Sequence, residues 1–204
     1  MKLQEESMNR CLARIIFIIC LTFPLYAFAG APLEAVKSNV DKVLDVLRDP
    51  SLKAQSARKA RKEKIRVISE QMFDFTELSK RTLAQNWSRF DPTQQKEFVG
   101  LYKSLLEDAY ANKIMSFTDE KIVFSKEVIL TEKTAEVQSI VQRKNEDIPI
   151  YYRVTLKDGV WKVYDVVIEG VSLINNYRSQ FREILADKTP ESLLETLRKK
   201  VGRA

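Results

Sequence analysis

The chain has 204 residues, 45% of them hydrophobic, with 34 Lys and Arg against 28 Asp and Glu, a net charge of +6 and no histidine. Without histidine the commonest general base and neutral metal ligand are missing; both cysteines, Cys11 and Cys20, lie in the first 20 residues, and five glycines build no Gly-rich phosphate cradle. Thiol, Cys/His-zinc and P-loop chemistry are thereby excluded from the rest of the chain, while the mild basic balance favours anionic surfaces such as phospholipid headgroups.

Arg10 and Arg14 precede an apolar run over 15–25 that closes on Ala27-Phe28-Ala29. A positive start, a short apolar stretch and a small-x-small site predict a cleaved secretory signal peptide over 1–29, and hence a periplasmic protein. The run is shorter than the roughly 20 residues that span a bilayer, and Pro24 interrupts it. Both cysteines leave with the leader, so no disulfide is expected. Residues 30–204 suffice for a single domain with its own core.

Apolar residues spaced by threes and fours predict a helix over 32–48, from Leu33 through Val36, Val40, Val43 and Leu44 to Leu47. After Asp49-Pro50-Ser51 a basic helix is expected to about residue 72, carrying Arg58, Lys59, Arg61, Lys62, Lys64 and Arg66. Glu63 and Glu70 interrupt that charge, so it reads as a solvated face and not as a nucleic-acid patch. Asp74 with Glu77 has capping-box form and opens a helix through Trp87; Asp91-Pro92 opens another to about residue 117. On the latter, Phe98, Leu101, Tyr102, Leu105 and their neighbours cover half the circumference, so it has two apolar surfaces to satisfy.

From residue 121 the period changes to two, predicting strands over 122–130, 135–143, 148–157 and 160–168. The connections are too short for parallel crossovers and Asp158-Gly159 is a strong hairpin turn, so the four strands form an antiparallel meander. Helices over 171–186 and 190–201 close the chain. The expectation is an α+β fold, a four-stranded meander covered by about six helices.

Ser56-Ala57-Arg58-Lys59 has the Ser-x-x-Lys form of an acyl-enzyme, but no Ser-Asp-Asn or Lys-Thr-Gly partner accompanies it. Asp165 and Glu169 are the remaining candidates for a catalytic base, in a small cone-fold enzyme; ion pairing to Arg178 or Arg182 is their plainer role. The stripe Tyr152, Tyr164, Val166, Ile168, Tyr177 and Phe181 reads first as core.

One run is more specific. Val160 through Asp165, Glu169-Gly170-Val171-Ser172 and Asn175-Asn176-Tyr177 to Phe181 resembles the signature of the MlaC family, periplasmic phospholipid-binding proteins also called toluene-tolerance (Ttg2-type) proteins. Phe73-Asp74-Phe75, the segments 83–87 and 98–105, and Ile148-Pro149-Ile150-Tyr151-Tyr152-Arg153 agree in order and position. The resemblance implies helices and a curved sheet around a deep apolar pocket, with lipid tails inside and the headgroup in water at its mouth. It further implies a non-enzymatic shuttle that takes phospholipid as cargo and needs no cofactor or metal. Its partners would be an inner-membrane ABC-type lipid transporter and an outer-membrane lipoprotein–porin complex, and its role outer-membrane lipid asymmetry. The hopanoid-associated HpnM branch shares much of the signature, which leaves a hopanoid-type cargo as the alternative.

A diacyl lipid has roughly 30 methylenes, so its monomer in water lies up to about 24 kcal/mol above the bilayer. A carrier lowers that barrier only with a dry cavity of its own. The residues expected to line it are Phe98, Leu101, Tyr102, Leu105, Tyr152, Val154, Tyr164, Val166, Val171 and Ile174. A shuttle that must fit both donor and acceptor is expected to be a monomer. A cone-fold enzyme would instead show a compact polar pocket, and a protein-binding adaptor a solid core.

Overall fold

The computed structural model describes residues 31–117, 120–144 and 146–202. The expected leader over 1–29, with Cys11 and Cys20, lies outside the described residues. Six α-helices are described: α1 Ala31–Arg48, α2 Arg58–Met72, α3 Phe75–Leu83, α4 Pro92–Met115, α5 Leu173–Asp187 and α6 Pro190–Val201. Between α4 and α5 run β1 Lys121–Thr131, β2 Thr134–Gln142, β3 Asp147–Lys157, β4 Val160–Ile168 and β5 Val171–Ser172, in one antiparallel sheet of order β1-β2-β3-β4-β5. No helix among the described residues is long and apolar enough to cross a membrane.

Helix starts follow local chemistry. The Asp91 carboxylate accepts from the Thr93 and Gln94 amides, Gln94 accepts in return from the Asp91 amide, and Pro92 occupies a position whose N–H would be unbonded in any case. Ser172 caps α5 and Thr189 caps α6 in the same way. Asp74 accepts from the Glu77 amide at 2.9 Å and from the Lys157 ammonium at 2.7 Å, while its own amide donates to the Val163 carbonyl. That residue thus ties the α2–α3 corner to β3 and β4.

Three expectations need correction. The segment after Arg48 is two single 3-10 turns, Pro50–Leu52 and Gln55–Ala57, before α2 begins at Arg58. Helix α3 stops at Leu83, because Ala84 takes φ +50°, and a 3-10 turn over Ala84–Arg89 then sets Trp87 against the helical core. The sheet has a fifth strand: Glu169 and Gly170 both have positive φ, as a type I′ turn requires, and turn the chain back so that Ile168 pairs with Val171. Asp158-Gly159 makes the expected turn with the same pair of signs.

The apolar interior is divided in two. One core joins α3, α4, α5 and α6, where the rings of Phe98, Tyr102, Tyr177 and Phe181 pack with centroids 5.2 to 5.7 Å apart. The other joins α1 and the end of α2 to the inner face of the sheet, through Val36, Val40, Met72, Val137, Tyr152, Val154, Val163 and Val166. Phe73 and Tyr110 pack against both. A β-bulge in β4 makes the division: Arg153 pairs with Asp165 and Val154 with Val163, so Tyr164 is left without a partner. The bulge reverses the alternation, placing Trp161, Val163, Val166 and Ile168 toward the sheet core and Tyr164 in the helical one. The stripe expected from Tyr152 to Phe181 is therefore split between two cores.

Candidate functional site

Within the sheet core, bordered by Phe73 and Tyr110 where that core meets the helical one, lies a cavity of about 240 Å³. Helix α1 contributes Val40, Val43, Leu44 and Leu47, α2 contributes Ile65, Ile68 and Met72, and α4 contributes Tyr110 and Ile114. The floor is the sheet, with Ile122, Val141, Ile150, Tyr152, Val166 and Ile168, one or two residues from each long strand. An apolar void of about 150 Å³ stays dry and holds a benzene-sized guest, so this larger one suits hydrocarbon of roughly ten carbons.

Few polar groups reach the wall. The Tyr152 hydroxyl is pushed up to about 12 by burial, against the opposing hydrogen bond with Ser139, and so stays neutral. Ser69 spends its hydroxyl on the Arg66 carbonyl and Ser139 on the Ile150 carbonyl. Burial also raises Tyr110. Among the described residues no group of histidine, cysteine or carboxylate side chains could hold a metal ion. Such a surface can shelter an apolar chain.

Of the ten residues expected at the site, Tyr152 and Val166 lie on the cavity wall. Phe98, Tyr102, Tyr164 and Ile174 are buried in the helical core, with Leu101 and Leu105 packed against it. Val154 is buried in the sheet core. Val171 is 57% exposed, since the turn at Glu169-Gly170 points it away. The structure thus brings together two of the ten on β3 and β4, and divides the rest mainly because α4 gives its first half to the helical core. Its last turns, through Tyr110 and Ile114, reach the cavity wall. Val43 and Leu44 of α1, apolar yet only half-buried, also stand on the wall.

The alternative base candidates are elsewhere. Asp165 is 1% exposed and fully engaged, accepting from Arg153 at 3.2 Å, the Ser172 hydroxyl at 2.6 Å and the Ile174 amide at 3.1 Å. Its ionic partner is Arg153, its cross-strand neighbour, and not Arg178 or Arg182; Arg178 donates to the Arg81 carbonyl. Glu169 is exposed on its turn. Asp165 is a structural tie that fixes the start of α5 to β4.

A family model described as MlaC protein matches residues 37–199. The chain belongs to the MlaC family. A toluene tolerance protein, Ttg2D, of Pseudomonas putida is 24% identical over 177 residues, covering 85% of this chain and 82% of that one. Among solved structures, a phospholipid-binding protein of Ralstonia solanacearum in complex with a phospholipid is similar at a TM-score of 0.74 and 26% identity, over 86% of this chain and 98% of that chain. The MlaC match includes every strand and every residue that lines the cavity.

Proposed function

We propose that this MlaC chain is a non-enzymatic phospholipid carrier, exported to the periplasm by the leader over 1–29, with residues 30–204 acting as one carrier domain. The observation that carries the reading is the apolar cavity over the inner face of the sheet. At about 0.8 kcal/mol per methylene, ten sheltered carbons recover roughly 8 kcal/mol of the ~24 kcal/mol that keeps a diacyl lipid in its bilayer. Accepting whole tails therefore requires the walls to part. The phospholipid bound in the Ralstonia relative supports phospholipid as the cargo class.

In this reading the monomer shuttles lipid between an outer-membrane lipoprotein–porin complex and an inner-membrane ABC-type transporter, and so contributes to outer-membrane lipid asymmetry. Its chemistry asks for no cofactor: transfer needs shelter from water and no bond is made or broken. The direct test is transfer of a fluorescent phospholipid from donor to acceptor vesicles by the purified chain. The transfer rate is expected to rise in proportion to protein concentration, and no acceleration over the protein-free rate would overturn the proposal.

A further inference from the structure

Of the chain's net +6, +4 falls within residues 49–64, where Lys53, Arg58, Lys59, Arg61, Lys62 and Lys64 stand against Asp49 and Glu63 alone. The acids that interrupt the basic run in sequence are spent further along α2. Glu63 and Glu70 each pair with Arg66 at 2.5 Å, and Glu70 also bonds Lys103. Asp49 accepts from the Ser51 amide and hydroxyl, and Lys64 is the cation whose field it feels. Lys62 pairs with Asp108 at 2.8 Å. That leaves Lys53, Arg58, Lys59, Arg61 and Lys64 without an ion pair among the described residues; Arg61 is half-buried and the other four are exposed. Arg58 donates to the neutral Asn112 side chain at 2.7 Å, a bond that leaves its charge uncancelled.

Arg58, Lys59 and Arg61 also occupy the first turn of α2, which holds no acidic residue and where the helix dipole disfavours cations. A local rule broken with no return inside the fold marks a surface kept for something outside it. The patch adjoins the cargo site. Arg58 and Lys62 reach Asn112 and Asp108 of α4 across the seam between the two helices. Below that seam an apolar groove of about 110 Å³ shares Ile65, Ser69, Phe73, Tyr110 and Ile114 with the main cavity.

We propose that the start of α2 is a docking face for an anionic phospholipid bilayer, which sets the α2–α4 seam against the membrane surface. A protein–protein interface centres on apolar and aromatic side chains and is depleted of charge there. The only large apolar side chain exposed on α2 is Val67, one turn beyond the patch. A bilayer asks for no such anchor. Each cation close to an anionic surface raises partition about fivefold, an attraction that salt screens over about 8 Å at physiological strength. The face holds the chain to the membrane and takes no part in recognising the headgroup of the cargo.

The test is co-sedimentation of the purified chain with vesicles of equal parts phosphatidylglycerol and phosphatidylcholine, and with vesicles of phosphatidylcholine alone, at low and high salt. Binding is expected on the anionic vesicles only and should fall as salt rises. The variant Lys53→Gln/Lys59→Gln/Lys64→Gln removes three exposed cations that hold no ion pair. It should bind anionic vesicles on the order of a hundredfold more weakly, three steps of about fivefold, with Tm and co-purifying lipid unchanged. Equal binding to both kinds of vesicle, or a variant that binds anionic vesicles as the unaltered chain does, overturns the inference. No binding to anionic vesicles overturns it too, and retention on immobilised polyglutamate at the same salt then assigns the patch to an acidic protein surface. This face goes beyond the carrier reading and is separable from it: a chain that binds anionic vesicles yet never holds lipid would lose the carrier reading and keep the docking face.

Discussion

Replacing Val166 by tryptophan tests whether the space over the inner face of the sheet is a void that cargo occupies. Val166 stands on β4 at the cavity floor, 7% exposed, opposite Tyr152 in register. The substitution adds about seven side-chain atoms. On the scale where a 150 Å³ void holds the six carbons of benzene, they fill roughly 175 Å³ of the cavity, or about seven of its ten carbon places. Lost shelter for seven methylenes is about 5.6 kcal/mol, which weakens lipid binding on the order of ten-thousandfold. In a solid core the same change would overpack and cost about 1–3 kcal/mol or more, whereas filling a void should leave stability unchanged or raised. Lipid co-purifying with the variant is counted by mass spectrometry, and stability is followed by urea unfolding. Wild-type lipid content in Val166→Trp, or a loss of several kcal/mol in its stability, would refute the reasoning. Leu193→Ala is the control: Leu193 is fully buried in the helical core, so it should lose about 2–5 kcal/mol of stability without any direct effect on the cavity.

Asp165→Ala should lower stability by about 3 kcal/mol in chemical unfolding, because Arg153, the Ser172 hydroxyl and the Ile174 amide lose their acceptor together. Gly170→Ala should cost about 1–2 kcal/mol through backbone strain alone, since φ is +81° and an added Cβ would meet nothing within 4 Å. Burial pushes the Asp74 carboxyl up, but hydrogen bonds from Lys157 and the Glu77 amide outweigh it and hold the carboxyl below its ordinary range. A depressed carboxyl stabilises the fold above its unfolded value of about 3.9, and that contribution is lost as pH falls through the lower folded value. Lys157→Ala should therefore shift the onset of acid unfolding to higher pH, as read from Tm against pH; an unchanged acid limb would contradict the assignment.

Much of this fold could be read from local signals. Asp91-Pro92 placed the start of α4, Asp158-Gly159 placed the β3–β4 turn, and the period of two gave the four long strands to within a residue at either end. The fifth strand is illegible although Glu169-Gly170 is a turn of the same kind, because it has only two residues, Val171 and Ser172, and Ser172 already caps α5. The site was less legible for a physical reason. Periodicity says which side chains leave water, and it is silent about whether they meet a neighbour or a void. Phe98 and Tyr102 are as apolar as Tyr110 and stand on the same helix, yet the first two fill a core and the third borders the cavity. The bulge at Tyr164 added a second loss, since one unpaired residue moves every later side chain of β4 to the other face.

The claim on which the rest depends is that the cavity over the sheet holds hydrocarbon. It is tested most directly by the intact mass of the chain purified from a bacterial periplasm under conditions that keep weak complexes together. The account expects a population heavier than the polypeptide by the mass of a phospholipid, which collapses to the bare chain on solvent extraction. A single species at the polypeptide mass, still bare after incubation with phospholipid vesicles, would contradict it.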